Sequence, residues 1–187
     1  AVAYEQIGSC YASTKNYVKA EENFKKALEC ATKDSDKALT NYNLSSVMFE
    51  QQKKEEALSY AKKAYDSKLS VASSAKVNIV YNYALMNQEN GNLTAAENLY
   101  KEVFTYDKTH VKANTNLGIL YLDKDDADGA IEYLETAYAS KKNFEICNGL
   151  GNAYNKKENY EQATKYYAEA LKDPSITAEQ KTEVQTS

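Results

Sequence analysis

The sequence has no tryptophan and no arginine, and only one proline and six glycines among its 187 residues. All 23 basic residues are therefore lysines, and the net charge is −4. Arginine usually provides the bidentate contacts to base edges and phosphates, so its absence argues against nucleic-acid binding. Because proline and glycine punctuate loops, their scarcity beside many alanines, leucines, lysines and glutamates predicts an all-α protein.

Membrane and disulfide signals are also missing. No apolar run approaches the roughly 20 residues of a membrane span, and no signal-peptide pattern opens the chain. Cys10, Cys30 and Cys147 form no CxxC pair and are odd in number. This argues against a disulfide framework or a zinc site and favours a reducing compartment, such as the cytoplasm. We expect no metal, no cofactor and no insertion into a membrane.

Five segments of the chain share one register. Each has an alanine at the same place, and successive alanines are 33 to 39 residues apart; they are Ala20, Ala57, Ala96, Ala130 and Ala163. An apolar–small pair precedes each alanine by 13 residues, as in Ile7-Gly8 and Leu117-Gly118, and a large residue usually follows it by four, as in Phe24. Apolar residues at helical spacing make each half of a segment amphipathic, so neighbouring segments must stack to bury them.

This register resembles the tetratricopeptide repeat (TPR), a helix–turn–helix unit of about 34 residues, although the opening tryptophan of that pattern is absent from all five segments. The resemblance implies an all-α, right-handed superhelical α-solenoid of five hairpins. The predicted array covers residues 1–174, with repeats at about 1–34, 38–71, 77–110, 111–143 and 144–174. Residues 175–187 are predicted to begin a further, truncated C-terminal helix, because Thr177-Ala-Glu-Gln180 is a capping box. Both ends are expected to cut through a longer array.

One stretch, Asp123 to Glu135, is close to a calcium-binding loop. Its first ligand position holds Lys124, however, and the same slot in the other repeats bears no likeness to such a loop. We therefore predict a polar inter-helix turn at Asp125–Asp128, after a helix that ends at Asp123. The nine residues before Leu39 and the eleven before Val77 are extra to the repeat and predict longer loops or an added helical turn.

Catalytic groups are scarce. The single histidine, His110, is predicted to be a solvated residue of the linker between repeats three and four, and one histidine provides neither a triad nor a metal set. The cysteines are predicted to be packed core thiols. The chain is therefore not expected to be an enzyme.

The predicted binding surface is the concave groove that the resemblance assigns to the first helices. At about 100° per residue, one face of these helices points away from the buried face. The candidate residues on it are Tyr42, Asn43, Phe49, Tyr81, Asn82, Lys112, Asn116, Asn148 and Asn152.

Three of these asparagines, Asn43, Asn82 and Asn116, stand directly before the apolar–small pair. Their column resembles the asparagine ladder in the TPR region of O-linked N-acetylglucosamine transferases, where amides hold a peptide backbone. We expect these amides to face solvent in the free protein. The alternative, consensus residues without a ligand role, stays open.

A second subfamily, the carboxylate-clamp co-chaperones, binds the acidic tails of heat-shock chaperones. Asn82 and Lys112 match that clamp, but Tyr42, Ser46 and Asn116 replace its remaining polar and cationic residues. With two cations missing, the site has too little charge to bind a carboxylate. A chaperone tail is therefore not the expected ligand.

The function that the sequence favours is a protein-interaction module or scaffold, which binds an extended peptide or a partner helix in the groove as one part of a larger assembly. The alternative is a regulatory or substrate-recruiting region of a larger enzyme, such as a glycosyltransferase. Acidic residues outnumber lysines in the inferred groove, where Glu5, Glu50, Glu89, Asp123 and Glu145 stand against Lys112 and Lys156. We therefore expect a neutral-to-basic partner segment.

Overall fold

The computed structural model describes residues 1–186, except for the side chains of positions 183, 185 and 186. Within this range the chain forms eleven α-helices, and a short 3₁₀ turn at Lys68–Ser70. The helices are α1 Val2–Ser13, α2 Tyr17–Glu29, α3 Asp34–Glu50, α4 Lys54–Asp66, α5 Ser73–Glu89, α6 Leu93–Val103, α7 Val111–Asp123, α8 Ala127–Ser140, α9 Phe144–Lys156, α10 Tyr160–Ala170 and α11 Ala178–Thr186. The predicted all-α fold of helical hairpins is confirmed.

The chain divides into two compact units. Unit 1, Ala1–Tyr106, contains α1 to α6, and unit 2 begins at Asp107 and contains α7 to α11. Inside each unit the odd-numbered helix packs against the even-numbered helix that follows it, and the second helix of one hairpin packs against the first helix of the next. No feature of the repeat register indicated a division between the third and fourth hairpins.

The packing inside each hairpin follows the predicted small-to-large contact. The five anchoring alanines are all buried. A Cβ atom added to Gly8 would lie 2.7 Å from the Phe24 ring, and one added to Gly151 would lie 2.4 Å from the Tyr167 ring. The missing side chain therefore lets the two helices approach until the large residue fills the space beside the glycine.

The five hairpin turns share one backbone conformation. The residue before each second helix's N-cap has a positive φ, and these residues are Lys15, Gln52, Gly91, Asp125 and Glu158. In three turns the following Asn or Asp caps the second helix: Asn16, Asp126 and Asn159 accept hydrogen bonds from the backbone N–H three residues on. Only Gly91 is a glycine, so four of these turns lack the usual sequence signal of a left-handed residue.

The acidic stretch in the fourth hairpin is a polar turn, as predicted. Asp126 accepts a hydrogen bond from the Gly129 N–H at 2.9 Å and so begins α8. Asp125 pairs with Lys156 at 2.6 Å, and Asp128 pairs with Lys157. One boundary was wrong: α8 already begins at Ala127, because Asp126 rather than a later residue supplies the cap.

The extra residues between hairpins lengthen first helices. α3 and α5 each have 17 residues, whereas α7 and α9 each have 13. The predicted added helical turn is therefore present in both. At the C-terminal end the predicted capping box is confirmed: Gln180 N–H donates to Thr177 Oγ1 at 3.2 Å, and Thr177 N–H donates to Gln180 Oε1 at 2.9 Å.

A charged cluster joins the first hairpin to the second. Glu21 on α2 accepts hydrogen bonds from Lys25 at 2.6 Å, from Gln51 at 2.8 Å and from Lys53 at 3.0 Å. Partial burial acts to raise the pKa of Glu21, but these three hydrogen bonds outweigh it and lower the pKa to about 2 from 4.5. The ionised carboxylate therefore stabilises the folded state at neutral pH.

Glu21→Gln is expected to lower the free energy of unfolding by about 1–3 kcal/mol at pH 7, because it removes the negative charge with which Lys25 and Lys53 pair. Since the folded pKa lies below the unfolded one, the contribution of Glu21 is complete above pH 4.5 and is lost as the pH falls towards about 2. Urea unfolding at pH 7 and pH 3 should show that the gap between wild type and variant narrows at pH 3. Glu22→Gln, at an exposed neighbour, is the matched control; a gap that does not change with pH would contradict the prediction.

Candidate functional site

The candidate site is a cavity of about 1250 Å³ inside unit 2. Its wall comes from the C-terminal half of α7, the loop before α9, most of one face of α9, Tyr167 on α10, and the segment that leads into α11. The residues that line it are Ile119, Leu122, Asp123, Lys141, Lys142, Asn143, Phe144, Glu145, Asn148, Gly149, Asn152, Asn155, Lys156, Tyr167, Asp173, Pro174, Ser175, Thr177 and Gln180.

A column of asparagine side chains on α9 forms one side of the cavity. Asn148, Asn152 and Asn155 follow one another at helical spacing, so they share a face. Asn148 is buried, and the other two are partly exposed. The structure thus brings the predicted residues Asn148 and Asn152 together with Asn155, which stands three residues further along the same face.

Apolar side chains lie on the other parts of the wall. Ile119 and Leu122 on α7 are partly exposed and reach the cavity, as does Phe144 at the start of α9. The wall therefore combines amide groups with apolar surface, which is the usual character of a ligand site.

The loop before α11 is a part of the site that the predicted groove did not include. Asp173 accepts hydrogen bonds from the Phe144 N–H at 2.7 Å and from the Ser175 N–H and hydroxyl at 2.9 and 2.6 Å. The bonds from Ser175 and Phe144 lower the pKa of Asp173, which keeps the carboxylate ionised. Asp-Pro-Ser is a recognisable turn sequence, but the bond to Phe144 spans 29 residues and has no local signal.

Charges at the cavity are partly neutralised. Lys156 is paired with Asp125, and Lys142 lies over the Tyr138 ring at 4.7 Å. In contrast, Asp123 and Glu145 are exposed and make no ion pair with any other described residue. Lys141 and Lys142 line the cavity as cations beside Asp173, so once Lys156 is set against Asp125 the lining carboxylates outnumber the lining lysines by one.

The predicted ladder asparagines in unit 1 do not stand as free amides. The Asn43 amide and the Thr40 hydroxyl both donate to the Glu5 carboxylate, the latter at 2.8 Å. Asn82 is 7% exposed and accepts a hydrogen bond from the Ser45 hydroxyl at 2.9 Å. The expectation that these amides face solvent was wrong for Asn82, because each amide pairs with the first helix of the preceding hairpin. Replacing all three ladder asparagines, Asn43, Asn82 and Asn116, by alanine would consequently weaken the packing between hairpins as well as any ligand binding.

The other predicted groove residues are placed as follows. Lys112 is exposed and Asn116 is partly exposed on α7, and neither lines the cavity.

In unit 1, Tyr42 packs against a cluster that includes Ala64 and Ile79, and Phe49 packs against the main core of that unit. Burial raises the pKa of Tyr42. Tyr81 lies 6.0 Å from the Tyr100 ring, measured between centroids. Their role in ligand binding stays a prediction.

Two predictions about inert residues need correction. His110 is the N-cap of α7 rather than a solvated linker residue: its Nδ1 accepts a hydrogen bond from the Ala113 N–H at 3.1 Å, and burial lowers its pKa. Cys10 and Cys30 are exposed, and only Cys147 is a buried thiol, whose pKa is raised by burial. Exposure at these positions depends on which helix packs alongside, which the repeat register alone does not specify.

Among the side chains that the structure describes, no three or more from His, Cys, Asp and Glu are arranged to hold a metal ion. None of the helices in residues 1–186 is long and apolar enough to span a bilayer.

Two-helix hairpins that stack on their neighbours define the class of helical-repeat proteins. Family models described as tetratricopeptide repeat match residues 1–70, 88–139 and 144–172. The chain belongs to the tetratricopeptide repeat family. A search of the curated proteins gave no match.

Solved structures of TPR proteins share the fold. MamA is 19% identical, with 99% of this chain and 93% of MamA covered and a TM-score of 0.75. YrrB, described as a TPR protein with an unusual peptide-binding site, is 16% identical over 98% of this chain and 91% of its own, with a TM-score of 0.75. PilW, a type IV pilus biogenesis factor, is 18% identical over 98% and 82%, with a TM-score of 0.80. At these identities the likeness establishes the α-solenoid fold alone.

Proposed function

We propose that this chain is a non-enzymatic protein-interaction module, which holds an extended segment of a partner protein in the cavity of unit 2 as part of a larger assembly. The single observation that carries the proposal is that cavity, with its asparagine column on α9 and its apolar residues on α7. Its volume of about 1250 Å³ exceeds the roughly 300–1,000 Å³ that is usual for small-molecule sites. A peptide segment fits that size.

The chemistry of the wall suits a peptide. Asparagine amides can donate to backbone carbonyls and accept from backbone N–H groups, whatever side chains the peptide carries. Ile119 and Leu122 add a surface against which one apolar side chain can pack.

The charges favour a neutral-to-basic segment. Asp123, Glu145 and Asp173 line the cavity against Lys141 and Lys142, whereas Lys156 is already paired with Asp125, so a small excess of negative charge remains. An acidic chaperone tail is accordingly not the partner that we propose, and neither is a nucleic acid, since the chain has no arginine. The free cysteines support a reducing compartment such as the cytoplasm as its location.

Selection from a phage-displayed library of random peptides tests the proposal. We expect the chain to enrich peptides that bind it in solution, and we expect their NMR shift changes to concentrate on α7 and α9. Asn155→Trp should weaken binding of a selected peptide at least about tenfold, because the indole fills part of the cavity.

The matched control is Thr164→Trp, which places the same side chain at an exposed position on α10 outside the cavity. It should bind the peptide as the wild type does. The proposal fails if no peptide is enriched, or if the shift changes lie outside unit 2.

A further inference from the structure

A tyrosine hydroxyl fixes one amide of the cavity. Tyr167 Oη on α10 donates to Asn152 Oδ1 on α9 at 2.7 Å, and both residues line the cavity. This bond takes one lone pair of the carbonyl oxygen and fixes the orientation of the amide, so the Nδ2 group, with its two N–H donors, is the larger unused capacity for binding a ligand. That nitrogen has no hydrogen-bond acceptor among the residues that the structure describes.

Packing on both sides holds the tyrosine in place. Its ring lies where a Cβ atom on Gly151 would be only 2.4 Å away, so no side chain could occupy the space between them. The ring also packs against the cluster of Phe144, Cys147 and Ala170. The hydroxyl therefore has a fixed direction before any ligand arrives, which reduces the entropy lost on binding.

Unit 1 contains one equivalent hydrogen bond from a tyrosine hydroxyl to a side-chain amide, away from the cavity. Tyr100 stands four residues after an anchoring alanine, as Tyr167 does, and its hydroxyl donates to Gln88 Oε1 at 2.7 Å. Neither Tyr100 nor Gln88 lines the cavity. This pair provides an internal control for the effect of removing a tyrosine hydroxyl.

We propose that Asn152 donates a hydrogen bond to a main-chain carbonyl oxygen of the bound segment, and that Tyr167 is the positioning residue that sets the orientation of the amide. This inference rests on the proposed function. Asn155, on the same face of α9, provides both a donor and an acceptor to the next part of the segment. The acceptor is a neutral carbonyl rather than a carboxylate, because the lining carboxylates of Asp123, Glu145 and Asp173 outnumber Lys141 and Lys142, while Lys156 is paired with Asp125.

The test uses a peptide selected by the chain and measures its dissociation constant by calorimetry. Tyr167→Phe keeps the ring and its packing, and we expect about three- to tenfold weaker binding, the loss that one neutral hydrogen bond explains. Asn152→Asp keeps the size of the side chain but replaces donors with acceptors, and we expect a loss of at least tenfold. Tyr100→Phe should bind as the wild type does.

The deciding measurement is made on the double variant that combines Tyr167→Phe with Asn152→Ala. If Tyr167 acts only by orienting Asn152, Tyr167→Phe has no further effect on binding once Asn152 is alanine. Additive losses in the double variant, or wild-type binding by Asn152→Asp, overturn the inference. The proposed function survives those outcomes as long as Asn155→Trp still blocks binding and Thr164→Trp does not. A chain that enriches no peptide overturns both.

Discussion

Gly118→Val is expected to lower the free energy of unfolding by about 3 kcal/mol. A Cβ atom at this position would lie 2.5 Å from Leu134 Cγ and 3.2 Å from the carbonyl oxygen of Ala130. Leu134 is fully buried and the carbonyl is backbone, so neither can move aside cheaply. The helices α7 and α8 would have to separate. Urea unfolding followed by circular dichroism measures the change.

The control is to remove the residue against which the new side chain collides. In a Leu134→Ala background, the same Gly118→Val change should cost at least about 1 kcal/mol less, because its side chain enters the space that leucine has left. The second hairpin already carries such a combination, with Ser45 at the place of the glycine and Ala61 at the place of the leucine. Equal costs in the two backgrounds would show that the strain lies elsewhere.

The packing inside the hairpins could be predicted from sequence because it depends on residues close along the chain. Gly118 and Leu134 are 16 residues apart and recur in register with Gly151 and Tyr167, so one rule covers both pairs. The two residues of the capping box, Thr177 and Gln180, are even closer along the chain, and the structure confirms their hydrogen bonds. Local and repeated features of this kind leave a pattern in one sequence.

The contacts between hairpins could not be predicted in the same way. Ser45 and Asn82 are 37 residues apart, and Asn43 pairs with a glutamate 38 residues away. Asn43 donates to a carboxylate whereas Asn82 accepts from a hydroxyl, so two asparagines that look equivalent in the sequence meet different partners in the structure. Likewise, the role of Tyr167 follows from its hydroxyl, which the packing rule for a large residue does not address.

A basic version of a cavity-binding peptide is expected to associate at least about tenfold faster than an acidic version at low salt. The two peptides differ only in lysine or glutamate at one flanking position. The cause is the excess of carboxylates over unpaired lysines at the cavity, in which the exposed Asp123 and Glu145, with Asp173, stand against Lys141 and Lys142. Stopped-flow measurements at about 20 mM and about 300 mM salt should show the difference shrinking, because the Debye length falls below about 10 Å above 0.1 M.

Neutralising Asp123 and Glu145 shows whether the charge of the cavity or the net charge of the whole chain steers the peptide. Asp123→Asn with Glu145→Gln should remove most of the preference for the basic peptide. The matched control, Glu132→Gln with Glu161→Gln, changes the net charge of the chain equally but alters exposed positions outside the cavity. It should keep the preference, since screened charges act mainly over short distances. If both double variants lose the preference alike, the net charge of the chain steers the peptide; if the acidic peptide associates faster with the wild type, the cavity does not carry the negative bias inferred from Asp123 and Glu145.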